Sequence, residues 1–178
     1  WYKALREAKR YIVVEDQFMW FDEALAAVEE AAARVEFVII LTNKGHTGIK
    51  VPGVNIPVEF PGDHRDVMSL AVQHKQHAVL KNMLEMDNVH VFTLTQKGKD
   101  GADFRDQIYN HAKTLLIDDE YALVGSAGVE RAGFTNDLDL SIAIHSRAWV
   151  TDFRKAIFSE YLSLDKNDGD LEDPSVML

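Results

Sequence analysis

Cysteine is absent from this chain, so neither a disulfide framework nor a thiolate metal site is available to it. That leaves the redox compartment open. Proline is scarce, 4 in 178 residues, and no apolar run approaches the ~18 residues of a spanning helix. The chain starts at Trp1 without an initiator Met and without a signal-peptide pattern, as a trimmed or excerpted chain would. Positive charge is also short. Lys and Arg number 19 against 29 Asp and Glu, a net charge of −10. Such a deficit argues against a nucleic-acid binder held by a general phosphate-backbone field. It also disfavours strong attraction to an anionic membrane surface, so lipid contact would come through loops or a partner domain. A local basic pocket is still allowed. The expectation is a soluble chain for which peripheral membrane contact and the cellular compartment are left open.

What is present is ordinary globular material: 47% hydrophobic, 27% charged, and long enough for one domain with a substantial core. Apolar spacing predicts a helix end over residues 1–10 and a buried strand over 11–14, leading into Glu15-Asp16-Gln17. A helix capped by Asp22 should run to about Ala33, followed by the strand Phe37–Leu41. A long helix from about Asp63 to Met86 and a strand over 89–94 come next. Strands at 114–117, 121–124 and 138–144, then a helix from Ser146 to about Leu162, complete the pattern. Strands alternating with helices imply an α/β domain, a mixed and mostly buried sheet with helices on both faces.

That domain is expected to span residues 1–164, leaving 165–178 as an acidic, solvated and partly mobile tail. Within the tail, Asp165, Asn167 and Gly169 do not make a calcium loop, because the glycine comes one position too early. The Gly- and Pro-rich stretch Thr42 to Gly62 leaves a strand end where α/β sheets place ligands, so it is expected to border a cleft. The stretch Gln96 to Arg105 reads as plain surface. His74 and His77, three apart on a helix, read as an exposed polar face. Phe18, Met19 and Trp20 read first as interface packing.

The stretch Asn110 to Gly128, NHAKTLLIDDEYALVGSAG, carries the spacing H-x-K-x4-D-x6-G-S. In an extended strand, residues two apart share a face, so His111 and Lys113 should project together. An imidazole beside an ammonium makes a poor core pair and suits a phosphate. A hairpin turning at Asp118-Asp119 should carry Ser126 back toward His111 and Lys113 and leave Asp118 at the far end, capping the turn.

This stretch resembles the HKD signature of the phospholipase D superfamily, whose members cleave or exchange phosphodiester bonds through a phosphohistidine. The likeness extends further. Arg10-Tyr-Ile-Val-Val-Glu-Asp-Gln-Phe18 resembles the strand ending E-D-Q-Y/F early in the second half of two-copy enzymes, and Gly133-Phe134-Thr135 with Asp137–Leu140 resembles a segment that follows the signature. The resemblance implies one catalytic half, completed by a second HKD half that is either an N-terminal partner or a homodimer mate.

By the same resemblance His111, Lys113, Asp118, Ser126 and Asp139 are the catalytic candidates, and Gln17 and Glu15 are cleft residues. Glu15 could equally be an internal anchor. One histidine would attack phosphorus and its counterpart would protonate the leaving alcohol, while lysines bind the non-bridging oxygens. Ser126 would bind the phosphate or hold the site together. No metal or other cofactor is implied. Two departures stand out: Gly128 replaces the Asn of G-S-x-N, and Asp139 stands where a Glu orients the catalytic histidine. The implied substrate is a glycerophospholipid. A nuclease of the same superfamily, or a degenerate half kept as an interaction domain, are the alternatives.

Overall fold

Four consecutive apolar residues followed by two acids make up β1, Tyr11–Asp16, and all six residues are buried. The computed structural model describes residues 1–43, 78, 80–96 and 106–178. Next to β1 lies β2 (Phe37–Leu41), whose five apolar residues are also all buried. A continuous apolar run of this kind is what a strand covered on both faces requires. β3 (Val89–Phe92) follows in parallel, giving a parallel trio β3-β2-β1.

On the other side of β1 the sheet turns antiparallel. β6 (Lys113–Ile117) pairs with β1, then β7 (Tyr121–Gly125) and β8 (Ser141–His145) complete the order β3-β2-β1-β6-β7-β8. A separate two-residue ladder joins β4 (Thr95–Gln96) to β5 (Asp106–Gln107), at the ends of the stretch read as plain surface. The rest of that stretch, like the loop from residue 44 to 62 and the histidines at 74 and 77, lies outside the described residues.

Alternation along the strands sends residues to two cores. On one face Ile12, Val14, Val38, Ile40, Leu115 and Ile117 pack under α1 (Tyr2–Glu7) and α2 (Asp22–Ala32). α2 offers Ala24, Leu25, Val28, Ala31 and Ala32, a helical stripe. Asp22 is its first helical residue rather than its cap, which is Phe21, and Asp22 with Glu23 places negative charge at the favourable end of the helix dipole. Residues 80–84, the described end of the long helix expected before β3, contribute buried Leu80 and Met83 to the same core. On the opposite face Tyr11, Val13, Ile39 and Leu116 meet the final long helix, Arg147–Leu162, through Val150 and Phe158. Ser146 caps that helix by accepting from the Trp149 amide. A short helix at Arg131–Thr135, which no periodicity announced, is numbered α3, and the final helix is α4.

The acidic segment after Leu164 differs from the expected solvated tail. It forms two 3-10 turns, Gly169–Glu172 and Pro174–Met177, and buries Leu171 completely. Its acids explain the order. Asp165, Asp168 and Asp173 each accept a backbone amide two residues on, a local bond that fixes turns. Charge density suggested solvation, but the apolar residues among and after the acids, Leu171, Val176 and Met177, pack against the second core.

The segment is also held by Arg154 of α4, which is fully buried. Its Nη1 donates to the Leu171 carbonyl at 2.9 Å, while Nε and Nη2 reach Asp119 at 2.7 and 3.2 Å. Tyr11 donates its hydroxyl to the same Asp119 carboxylate at 2.7 Å. Burial and that carboxylate push the Tyr11 phenol well above its ordinary range. Asp118 and Asp119 both have φ of 56°, in the left-handed region that fits the right-handed twist of a hairpin.

Candidate active site

Five strands start or stop in polar residues at one end of the sheet. β1 ends in Glu15-Asp16 and leads to Gln17, and β2 is followed by Thr42-Asn43. His111 lies two residues before β6, Ser126 follows β7, and Asp139 lies just before β8. The registers set them side by side: Asp16 faces Lys113, and Gly125 faces Ser141. Thr114 faces Val124, so two steps further along the same register puts Ala112 beside Ser126. This is the carboxyl end of the parallel strands, where open α/β sheets bind ligands.

Lys113 is the centre of the group. Its side chain is nearly buried, and Nζ donates to Gln17 Oε1 and to the His111 carbonyl, each at 2.9 Å. Both acceptors are neutral, so the ammonium keeps its charge available to an incoming anion. His111 itself is exposed, its ring stacked against Tyr109 with centroids 6.1 Å apart. The strand begins only at Lys113, yet the lysine folds back onto the His111 backbone, so the two residues stay together at the sheet edge.

Ser126 donates to Asp139 Oδ1 at 2.7 Å and accepts from the Leu140 amide at 3.1 Å. Among the described residues, these bonds tie Asp139 to the hydroxyl rather than to the imidazole. The glycine of the Gly125-Ser126 pair has a steric origin. A Cβ there would lie 2.2 Å from Ser141 Oγ and 2.5 Å from the Leu140 carbonyl, so only glycine lets β8 approach.

The two acids that end β1 face opposite ways. Asp16, on the Lys113 side, accepts from the Phe18 and Val129 amides at 2.9 Å each. Burial raises its carboxyl above the usual range, and the two amides and Lys113 pull it part of the way back. Glu15 turns to the α4 side and accepts from the Tyr161 hydroxyl. Burial raises it as well, opposed by Tyr161 and Asn110. Glu15 is thus tied to the framework, while Gln17 meets the ammonium directly.

Asp118 is a correction to the candidate set. At ~3.3 Å per residue it stands roughly 16 Å along β6 from Lys113, at the opposite end of the sheet. Its carboxylate accepts from the backbone amides of Lys9, Arg10 and Tyr11, each at 2.8 Å. It fastens the start of β1 to the hairpin and belongs to the scaffold.

Sequence reasoning also missed residues that the fold brings in. Asn43 donates to the carbonyls of Gln17 and Asn110 and accepts from the Asn110 amide, which joins the end of β1 to the segment entering β6. In the sequence it is one more polar residue in a glycine- and proline-rich loop. Its place immediately after a buried strand was the available signal. Tyr161 and Glu130 had none, since each reaches the site from a separate element.

Comparison with known proteins agrees with this geometry. The family described as cardiolipin synthase, PLD-like domain, matches residues 2–161. The chain belongs to that family, and so to the phospholipase D superfamily of phosphodiesterases and phosphotransferases. Phospholipase D delta of Arabidopsis thaliana is 32% identical over 72 residues, 33% of this chain and 8% of that protein, so the chain matches a small part of its relative's length. Among solved structures, NucT from Helicobacter pylori shares 14% identity at a TM-score of 0.59, covering 91% of this chain and 84% of that one. Phosphatidylserine synthase of Haemophilus influenzae Rd KW20 shares 13% at 0.62, covering 90% and 34%. Nuc from Salmonella typhimurium, a phospholipase D family member, shares 13% at 0.52, covering 91% and 84%. At these identities the structural likeness is one of fold. Among the described residues, no cluster of His, Cys, Asp or Glu is placed to hold a metal ion, and no helix is long and apolar enough to cross a membrane.

Proposed function

We propose that this domain is one catalytic half of a phospholipase D-like phosphodiesterase, which hydrolyses or transfers the head group of glycerophospholipids through a phosphohistidine. The observation that supports it most is that exposed His111 and the Lys113 ammonium share one sheet edge, where Nζ donates to the His111 carbonyl and, among the described residues, meets only neutral acceptors. An anionic diester repels hydroxide. Lys113 neutralises a non-bridging oxygen, and a neutral imidazole is a nucleophile strong enough to attack phosphorus. As the N–P bond forms, the P–O bond to one alcohol breaks, and that alcohol leaves with a proton from a second histidine. Water or another alcohol then gives its proton to that histidine, attacks phosphorus and frees the imidazole. His111 takes one of these two roles. Ser126, held by Asp139, lies beside the attacked group and steadies it.

The second histidine comes from a second HKD half, either elsewhere in a longer polypeptide or in an identical chain. Support lies in the edge strand. Leu138, Leu140 and Ile142 run along β8 and its approach with their side chains largely in solvent, next to Ser126 and Asp139. An uncovered apolar edge of this kind is a mating surface or a liability. A two-fold pairing of like halves would cover it and complete the site. The test compares the purified protein with His111→Asn on phosphatidylcholine and related lipids. Head-group release that depends on His111 supports the assignment, and equal activity in both proteins rejects it.

A further inference from the structure

We propose that Glu130 is a positioning residue that sets the charge around Lys113 and so governs how tightly the phosphodiester is held. The proposal rests on the reading that Lys113 binds the phosphate. Its basis is a gap. Gly128 has no side chain, and the space a Cβ would fill is approached by Glu130 Oε1 at 3.4 Å and Asp16 Oδ2 at 3.7 Å. Two carboxylates therefore converge on one space, and one of them, Asp16, lies across the β1–β6 register from Lys113.

Their surroundings differ. Asp16 is 1% exposed and held as an acceptor by two backbone amides, which favours its charged form. Glu130 is half-buried, and among the described residues no donor holds its carboxylate. It faces Asp16 from β1, Asp137 and Asp139 from the segment before β8, and the opposing charge of Lys113 from β6. On its own short helix the neighbouring Arg131 lies over the Phe21 ring instead. Burial first, then the surrounding acids, lift its carboxyl above the usual range.

Of the two acids, Glu130 has the fewer donors among the described residues to hold its charged form. Protonated, it leaves Lys113 and Asp16 as a neutral pair and offers an O–H to a phosphate oxygen. Ionised, it adds a second negative charge to the surroundings of Lys113, and binding weakens as pH rises through its raised pKa. A unit charge several ångströms from a half-exposed site is worth roughly fivefold to tenfold in affinity.

The experiment measures binding of dimethyl phosphate, a diester that stays a monoanion across the range, between about pH 5 and about pH 8. Four proteins are compared: wild type, Glu130→Gln, Lys113→Met and His111→Asn. Glu130→Gln should bind roughly fivefold to tenfold tighter than wild type at the upper pH, and the difference should narrow towards the lower. His111→Asn, which removes the neighbouring imidazole, should keep the Glu130-dependent loss. Lys113-dependent binding that is indifferent to Glu130→Gln at every pH overturns the proposal while leaving the phosphate site intact. Binding that Lys113→Met does not alter, or no binding by any of the four, overturns the reading beneath it and the proposal with it.

Discussion

Replacing Asp118 with alanine separates the scaffold reading of this residue from a catalytic one. The carboxylate accepts three backbone amides at 2.8 Å, and only the Tyr11 amide is fully buried. Hydrogen bonds to a charged acceptor contribute about 1.5–3 kcal/mol each, but the partly exposed Lys9 and Arg10 amides regain most of that from water. The Tyr11 amide, at the foot of a strand buried on both faces, regains none. Alanine must also adopt the left-handed φ of 56°, which costs it about 1 kcal/mol and which aspartate tolerates. The total loss is about 4 kcal/mol. For a domain of this size each kcal/mol lowers Tm by about 2–4 °C, so calorimetry should show a fall of roughly 8–16 °C. Asp118→Gly should recover about 1 kcal/mol of it, because glycine accepts the backbone angle. Turnover of a soluble diester per folded molecule, measured well below the lowered Tm, should stay within about threefold of wild type. An Asp118→Ala protein with unchanged Tm and lost turnover would refute the reasoning and return Asp118 to the chemistry.

Removing the partner of the buried guanidinium is costlier still: Asp119→Ala strands Arg154 and the Tyr11 hydroxyl together, and urea unfolding should register a loss of about 3–5 kcal/mol. Glu15 gives a pH signature. Its folded carboxyl is raised by burial, so the stability it provides is complete below the unfolded pKa and is lost as pH rises through the folded one. Glu15→Gln should therefore equal wild type in acid and exceed it at neutral pH in denaturant titrations, with Tyr161 still finding an acceptor. If β8 is the mating edge, Leu140→Lys should leave the melting of the isolated domain nearly unchanged and weaken its association with a second half by at least about tenfold in sedimentation experiments.

The H-x-K spacing and the strand that follows it were legible without coordinates, because period-two alternation and polar punctuation are local properties of the chain, although His111 itself lies before the strand. Phe37–Leu41 matches its predicted bounds for the same reason: five apolar residues in a row between polar flanks have few other uses. Tyr11–Asp16 runs two residues further than the apolar pattern, since pairing with β2 and β6 carries Glu15 and Asp16 into the sheet. The reading of 165–178 as a solvated tail failed because net charge says nothing about where three apolar side chains find cover.

Local order in the chain thus determined the strands, the family signature and the arrival of His111, Lys113 and Ser126 at one edge of the sheet, since a hairpin's geometry follows from its own residues. Only the tertiary structure decided what each carboxylate does. Asp118 and Asp119 went to the scaffold, Glu15 to Tyr161, and Asp16 and Glu130 to the space left open at Gly128. The physical reason is that a charge takes its role from whichever donors and charges surround it, and those are supplied by elements as many as 146 residues away in the chain.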